Sequence, residues 1–269
     1  GARSDRAQDR AVNLARECKA KLTVVHALYA LDAPNDQPSR PASAGARSRA
    51  FTLLMDQFDK DVEVVVEDGT PGDVVLQAAE ARPVDLIVTG IAGNDPIAQS
   101  IFGSSISKLV RKAATPVLVV KKRGASPYRH VIVATDLSVA SVVALEMALR
   151  LFDPGVITLF HVYDAPMGRF LEERDLYEQK LKPSVLDDVR AFVAVNFGQA
   201  IADGLQVEVA TGDVEILIAD YAAETDADIV IAGTQGRSGI VGVLIGSVAL
   251  ALLDEVPCDV MVVPRRPNV

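Results

Sequence analysis

Near-continuous apolar runs alternate with longer stretches of helical spacing along the second half of the chain. "HVIVATD" (130–136), "VITLFHV" (156–162), "ADIVIAG" (227–233) and "CDVMVV" (258–263) are short, apolar and rich in β-branched residues. Such runs predict strands buried on both faces, as in a parallel sheet. "LQVEVA" (205–210) alternates apolar and polar residues, which predicts a strand near a sheet edge. Between these runs, "LSVASVVALEMALRLF" (137–152) places Val142, Leu145, Leu149 and Phe152 on one helical face, with Ser138 as its cap. A helical stretch over about residues 170–202 is expected to break near Pro183. "GDVEILIADYAAET" predicts a helix begun at Gly212, and "GSVALALLDEV" (246–256) predicts a last helix. Strand–helix alternation of this kind predicts an α/β fold of Rossmann-like type, a parallel sheet covered on both faces.

The pattern occurs twice. "KLTVVHAL" (21–28) resembles "VITLFHVY" (156–163), "VDLIVTG" (84–90) resembles "ADIVIAG", and "TPVLVVKKR" (115–123) resembles "CDVMVVPRR" (258–266). Two tandem copies are therefore expected, over 1–124 and 125–269, joined by the basic, small-residue seam "KKRGASPYR" (121–129). The first copy opens on "GARSDRAQDRAVNLAREC", already helical, and lacks a counterpart of "HVIVATD". A parallel sheet without that strand would lose much of its core. The expectation is that an N-terminal strand is missing from this sequence, with Gly1 as a cloning remnant.

The chain has 269 residues, 49% apolar and 23% charged, which is enough for folded cores. No run reaches the roughly 18 apolar residues of a membrane span, and no charged segment followed by an apolar one opens the chain. No membrane partner is expected, and a cytoplasmic location is. Cys18 and Cys258 are isolated, which suits a reducing compartment. His26, His130 and His161 have no metal-type spacing, so no resident metal is expected. Residues 1–124 carry a net charge of +2 and residues 125–269 a net −11. An acidic half of this size argues against nucleic acid as a partner.

Candidate chemistry sits in "GTQGRSGIVGVLIGS" (233–247), directly after a predicted core strand. Gly233, Gly236, Gly246 and Ser247 form the spacing Gly-x2-Gly-x9-Gly-Ser, and Gly90, Gly93, Gly103 and Ser104 repeat it without a gap. In open parallel sheets, ligands bind at the carboxyl ends of strands. Glycine lets the backbone approach a bulky anion, and the helix opening at Gly246 offers free N–H groups to a phosphate. Turns and helix caps are the structural alternative for these glycines. The second loop carries Arg237 and Ser238, which suit phosphate. The first carries Asn94, Asp95 and Pro96, and Asp95 repels an anion unless a metal intervenes. Asp136 ends a strand at the same edge, either to accept a hydrogen bond from a ribose hydroxyl or adenine amine, or to cap a helix with Ser138. His161 and His26 occupy matching strand positions and are expected to be satisfied core histidines.

On these residues the chain resembles a tandem member of the universal stress protein family, whose motif G-2x-G-9x-G-[ST] both copies match. "VIVATDLS" and "LFHVYD" resemble the first two strands of that family. The resemblance implies five-stranded parallel sheets of order 3-2-1-4-5 in an adenine-nucleotide-binding fold. It implies an adenine nucleotide as cofactor, ATP first, with ADP, AMP or a cyclic nucleotide as alternatives and Mg²⁺ possible alongside. Carried onto this chain, adenine would meet Ala134, Thr135, Asp136 and Val162. Ribose and phosphates would meet Gly233, Gly236, Gly246, Ser247 and Val248, beside the Arg237 that the loop's own chemistry already offers to a phosphate. The first-copy equivalents are Ala27, Gly90, Gly93, Gly103, Ser104 and Ser105. The resemblance also implies pairing through the fifth strands, so "PVLVVKK" and "DVMVVPR" are expected to form an intramolecular pseudo-dimer, with a homodimer as a further possibility and any protein partner unknown.

Three functions stay open on the sequence: a nucleotide-binding stress or signalling protein without a catalytic constellation, a slow Mg²⁺-dependent ATPase or phosphoryl transferase using Asp136 or Asp95, and a scaffold that binds no nucleotide. No GxxxxGK[ST] loop and no nucleophile elbow is present.

Overall fold

The computed structural model describes residues 4–28, 43–58, 61–91, 103–122, 126–164, 174–234 and 245–265. The chain divides into two compact units, Gly1–Pro127 and Tyr128–Val269.

The second unit holds the full α/β alternation. Its strands are β5 (Val131–Thr135), β6 (Ile157–Tyr163), β7 (Gln206–Thr211), β8 (Ile229–Gly233) and β9 (Asp259–Val263). β5 pairs in parallel with β6 on one side and β8 on the other, β6 pairs with β7, and β8 pairs with β9. The order is therefore third, second, first, fourth, fifth, as the family resemblance implies. β7 has one described partner, which accounts for its alternating sequence. β5, β8 and β9 are buried along nearly their whole length because helices cover both faces.

Helix α5 (Val139–Leu151) begins at Ser138, whose Oγ accepts the Ser141 N–H at 3.4 Å. The face it buries differs from the one its large residues suggest. Of Val142, Leu145, Leu149 and Phe152, only Leu145 is buried. Ala140, Ala144 and Ala148, spaced four apart, are buried with it. Val143 and Met147 are buried beside them, and Ala140 meets Gly233 of the sheet closely. Helix α6 (Arg174–Phe197) runs straight through Pro183, contrary to the expected break. Proline removes one helical hydrogen bond there, on an exposed stretch. The break falls instead at Gly198, whose φ of 89° no ordinary side chain favours, before α7 (Gln199–Gly204). Helix α8 (Val214–Glu224) starts two residues after the expected Gly212, on the Asp213 cap. Helix α9 (Ser247–Glu255) buries Ala249, Leu252 and Leu253.

The first unit repeats these parts around a different middle. Helix α1 (Ser4–Glu17) opens it, followed by β1 (Thr23–Leu28), α2 (Ala44–Met55), β2 (Glu63–Asp68), α3 (Pro71–Glu80), β3 (Ile87–Gly90), α4 (Ser104–Lys112) and β4 (Val117–Val120). The buried residues of α4, Ile106, Leu109 and Val110, are the repeat equivalents of those in α9. Among the described residues its strands form two parallel pairs, β1 with β2 and β3 with β4, rather than the five-stranded order of the second unit. Among the described residues no strand stands where β5 stands in the second unit. The consequence shows in burial. None of the six β1 residues is buried, whereas the first five of β6 are.

Candidate nucleotide site at the carboxyl edge

All five strands of the second unit run in parallel, so their carboxyl ends share one edge. Ala134 and Thr135 close β5, with Asp136 next. Val162 stands one residue from the end of β6, and Gly233 ends β8. Order reverses between β5 and β8, since the chain passes from β5 to β6 on one side and later enters β8 on the other. Such a reversal opens a crevice at the carboxyl edge.

The end of β5 is tightly organised. Asp136 Oδ1 accepts the Ser138 N–H at 3.1 Å and the Ser141 hydroxyl at 2.7 Å. The Asp136 N–H donates to Ser141 Oγ at 3.0 Å, and the Leu137 N–H donates to Thr135 Oγ1 at 3.0 Å. Leu137 adopts a left-handed φ of 62°, uncommon for a bulky side chain, and so curls the chain around the Ser141 hydroxyl. His161 Nδ1–H donates to the Thr135 carbonyl at 2.8 Å, and the ring is buried. It is the satisfied core histidine expected. His26 is a correction: it is exposed, because β1 has β2 on one side and, among the described residues, no strand on the other to supply a carbonyl or cover the ring.

Gly233 meets α5 closely. A β-carbon there would stand 3.0 Å from both Cβ and O of Ala140. Packing alone therefore demands this glycine. The residue after it, Thr234, is buried and ties three segments together. Its N–H donates to the Val263 carbonyl at 3.0 Å, its Oγ1 accepts the Arg265 N–H at 3.3 Å, and its carbonyl accepts the Gly246 N–H at 2.5 Å. The loop that leaves β8 is thus closed at its base, with the start of α9 held beside the end of β8. Gly246 has an ordinary extended backbone (φ −75°, ψ 156°) and is the cap residue of α9, yet it brings no side-chain cap.

That last fact separates the helices of this edge. Ser138 caps α5 and Asp213 caps α8 with side-chain oxygens, whereas α9 has no side-chain cap and no acidic residue in its first turn. Ser247, its first residue, is exposed, and Val248 half-buried. The first unit repeats the division: Thr70 caps α3, and α4 opens at Gly103 without a side-chain cap, with Ser104 exposed and Ser105 half-buried. An uncapped helix start offers N–H donors and a partial positive charge to an anion.

In the first unit, among the described residues, no strand supplies a counterpart of Asp136. Ala27 lies in β1 and Gly90 ends β3, and these strands belong to separate pairs. One turn into α4, Lys108 Nζ meets the Asp73 carboxylate at 2.8 Å. The Lys108 bond, with help from the Thr70 hydroxyl, holds the Asp73 carboxyl below the usual carboxylate range. Gly93, Asn94, Asp95, Pro96, Gly236, Arg237 and Ser238 lie outside the described residues.

Sequence patterning pointed to Asp136, Gly233, Gly246 and Ser247. It missed Ser141, Leu137 and Thr234. A serine among the otherwise apolar buried residues of α5 was a signal for Ser141. Thr234 acts mainly through its backbone, which leaves no mark in sequence.

Tandem α/β units, with a strand's carboxyl end tied to an uncapped helix start at the edge of a parallel sheet, define the class of protein. Residues 2–121 and 127–264 each match the universal stress protein family, and the chain belongs to that family. It is 24% identical to the universal stress protein E homolog of Haemophilus influenzae, over 91% of this chain and 87% of that protein. It is 26% identical to universal stress protein E of Salmonella typhi, over 74% of this chain and 67% of that one. A solved universal stress protein from Archaeoglobus fulgidus superposes with a TM-score of 0.63 at 17% identity, over 96% of this chain and 93% of its own. A Pseudomonas aeruginosa protein of unknown function gives 0.63 at 19% identity, over 96% and 87%. The structural likenesses speak for the fold alone.

Proposed function

We propose that the second unit binds one adenine nucleotide, ATP first, at the carboxyl edge, and that the protein acts as a nucleotide-binding stress or signalling protein rather than by turnover. The carrying observation is the polarity of the edge. At one end stands α9, uncapped and joined to β8 through Thr234. At the other stands the Asp136 carboxylate on a turn whose N–H groups at 136, 137 and 138 are already taken. A phosphate suits the first and is repelled by the second, whereas a hydroxyl or amine donor suits the second. A nucleotide carries both kinds of group on one molecule. Gly246, Ser247 and Val248 are assigned to the phosphates, Asp136 to the ribose or base, and Ala134, Thr135 and Val162 to the wall beside the base.

Among the described residues no three His, Cys, Asp or Glu side chains gather where they could hold a metal. Mg²⁺, where present, would enter on the nucleotide's own phosphates, as that ion commonly does. The first unit contributes a weaker site or none, because among its described residues no strand supplies a counterpart of Asp136.

The test is to denature the purified protein, identify released nucleotide by chromatography, and titrate the emptied protein with ATP, ADP, AMP and cyclic AMP. About one adenine nucleotide per chain is expected. No release, followed by no heat on addition of any of the four, overturns the reading.

A further inference from the structure

We propose that Ser141 is a positioning residue for nucleotide recognition, fixing the Asp136 carboxylate as an aimed acceptor for a donor group on the ribose or base. This rests on the nucleotide reading above.

Ser141 lies on the buried face of α5, 4% exposed, among the apolar Ala140, Val143, Ala144, Leu145 and Met147. An alanine would pack there. A hydroxyl taken out of water must find partners, and this one finds two on a single residue: it donates to Asp136 Oδ1 at 2.7 Å and accepts the Asp136 N–H at 3.0 Å. The Ser138 N–H donates to the same Oδ1 at 3.1 Å. With Ser141 in place both the backbone and one carboxylate oxygen of Asp136 are held, and the direction of Oδ2 follows from the plane of the group. Charge-assisted hydrogen bonds of this kind are among the stronger ones. Helix capping does not explain the arrangement, because the Ser138 hydroxyl already caps α5.

Asp136 thereby gives specificity and Ser141 its geometry, while α9 holds the phosphates independently. The two ends can be probed apart. Calorimetry with ATP and with inorganic tripolyphosphate on the full chain, on Ser141→Ala, on Asp136→Ala and on the double variant reads them separately. Ser141→Ala is expected to weaken ATP about tenfold while leaving tripolyphosphate unchanged. In the Asp136→Ala background it should add nothing for ATP. Ser141→Cys, which keeps nearly the same volume with a far weaker hydrogen-bonding group, should lose ATP affinity to a similar extent and covers poor folding of the alanine variant. ATP affinity unchanged in Ser141→Ala, equal loss for both probes, or additive losses in the double variant each overturn the positioning role. If the unaltered chain binds tripolyphosphate but not ATP, or neither, the nucleotide reading itself fails, and this one with it.

Discussion

Gly233 ends β8 directly against Ala140 of α5, so that a β-carbon on Gly233 would stand 3.0 Å from both the Cβ and the carbonyl oxygen of Ala140. Neither contact can be relieved by turning a flexible side chain, because the atoms belong to a short side chain and to helix backbone. Gly233→Ala is expected to destabilise the second unit by about 1–3 kcal/mol, at roughly 4 °C of melting temperature per kcal/mol for a unit of this size. Calorimetric melting checks this, and an unshifted transition for the second unit would contradict the packing.

Gly246 invites the opposite expectation. Its backbone is ordinary for any residue, and an added β-carbon would lie 3.3 Å from the Thr234 carbonyl oxygen, a tight contact that a small shift relieves. Gly246→Ala should cost stability only modestly, about 1 kcal/mol or less. Gly246→Leu brings bulk to the uncapped start of α9 and should weaken ATP at least tenfold, on the scale of lost charge-assisted bonds. ATP binding unchanged in Gly246→Leu would remove α9 from the site.

Leu137 carries strain that its neighbours impose. A left-handed conformation costs a non-glycine residue about 1–2 kcal/mol, and β-branching raises that cost. Leu137→Gly is expected to keep stability within about 1 kcal/mol, since relief of strain offsets the added freedom of the unfolded chain. Leu137→Val should lose about 1–2 kcal/mol, more than one methylene of a half-buried side chain explains. Equal denaturation midpoints for the valine and glycine variants would show that φ here is not constrained.

The acid limb of stability should report the Asp73–Lys108 pair. Lys108 first, then Thr70, lowers the Asp73 carboxyl in the folded state. A lowered folded value means that the contribution is fully present above the unfolded value near 3.9 and is lost as pH falls through the folded one. Both groups are partly exposed, so the effect is small, under about 1 kcal/mol. Lys108→Met should lower the stability of the first unit by a constant amount above about pH 5, with the gap closing below pH 4. A gap that persists undiminished at pH 2 would assign the loss to packing instead.

Much of the second unit was legible because most of its strands are uninterrupted apolar runs and α5 carries its cap in the usual place, at Ser138. What the pattern hid had physical reasons. Hydrophobic spacing draws attention to Val142, Leu149 and Phe152, but α5 buries Ala140, Ala144 and Ala148 together with Val143, Leu145 and Met147, and Ala140 is small enough to lie against Gly233. Pro183 looked like a stop, yet an exposed helix tolerates it, and Gly198 with its positive φ makes the break. The glycine spacing located the edge but not the division of labour within it. Gly233 answers to Ala140, whereas Gly246 has no such demand on it and leaves α9 uncapped. The clamp on Asp136 depends on a left-handed Leu137, which no leucine announces.

The split middle of the first unit makes a prediction that needs no ligand. Residues along a parallel strand direct their N–H and C=O groups alternately to the two neighbouring strands. β6 has β5 and β7 as neighbours, so its groups are paired on both sides. β1 has β2, and among the described residues nothing opposite it. Its matching histidine is exposed where His161 is buried, and no residue of β1 reaches full burial. Few buried apolar contacts and solvent-facing backbone groups are the conditions for local opening. Amide exchange should therefore run on the order of 100-fold faster across 23–28 than across 157–162, a difference of roughly 3 kcal/mol in opening free energy. Within β1 the amides should alternate, those bonded to β2 being the slower set. Uniform slow exchange along β1, equal to that of β6, would mean that something occupies the open side of the strand in solution, and the two-pair description of the first unit would have to be replaced.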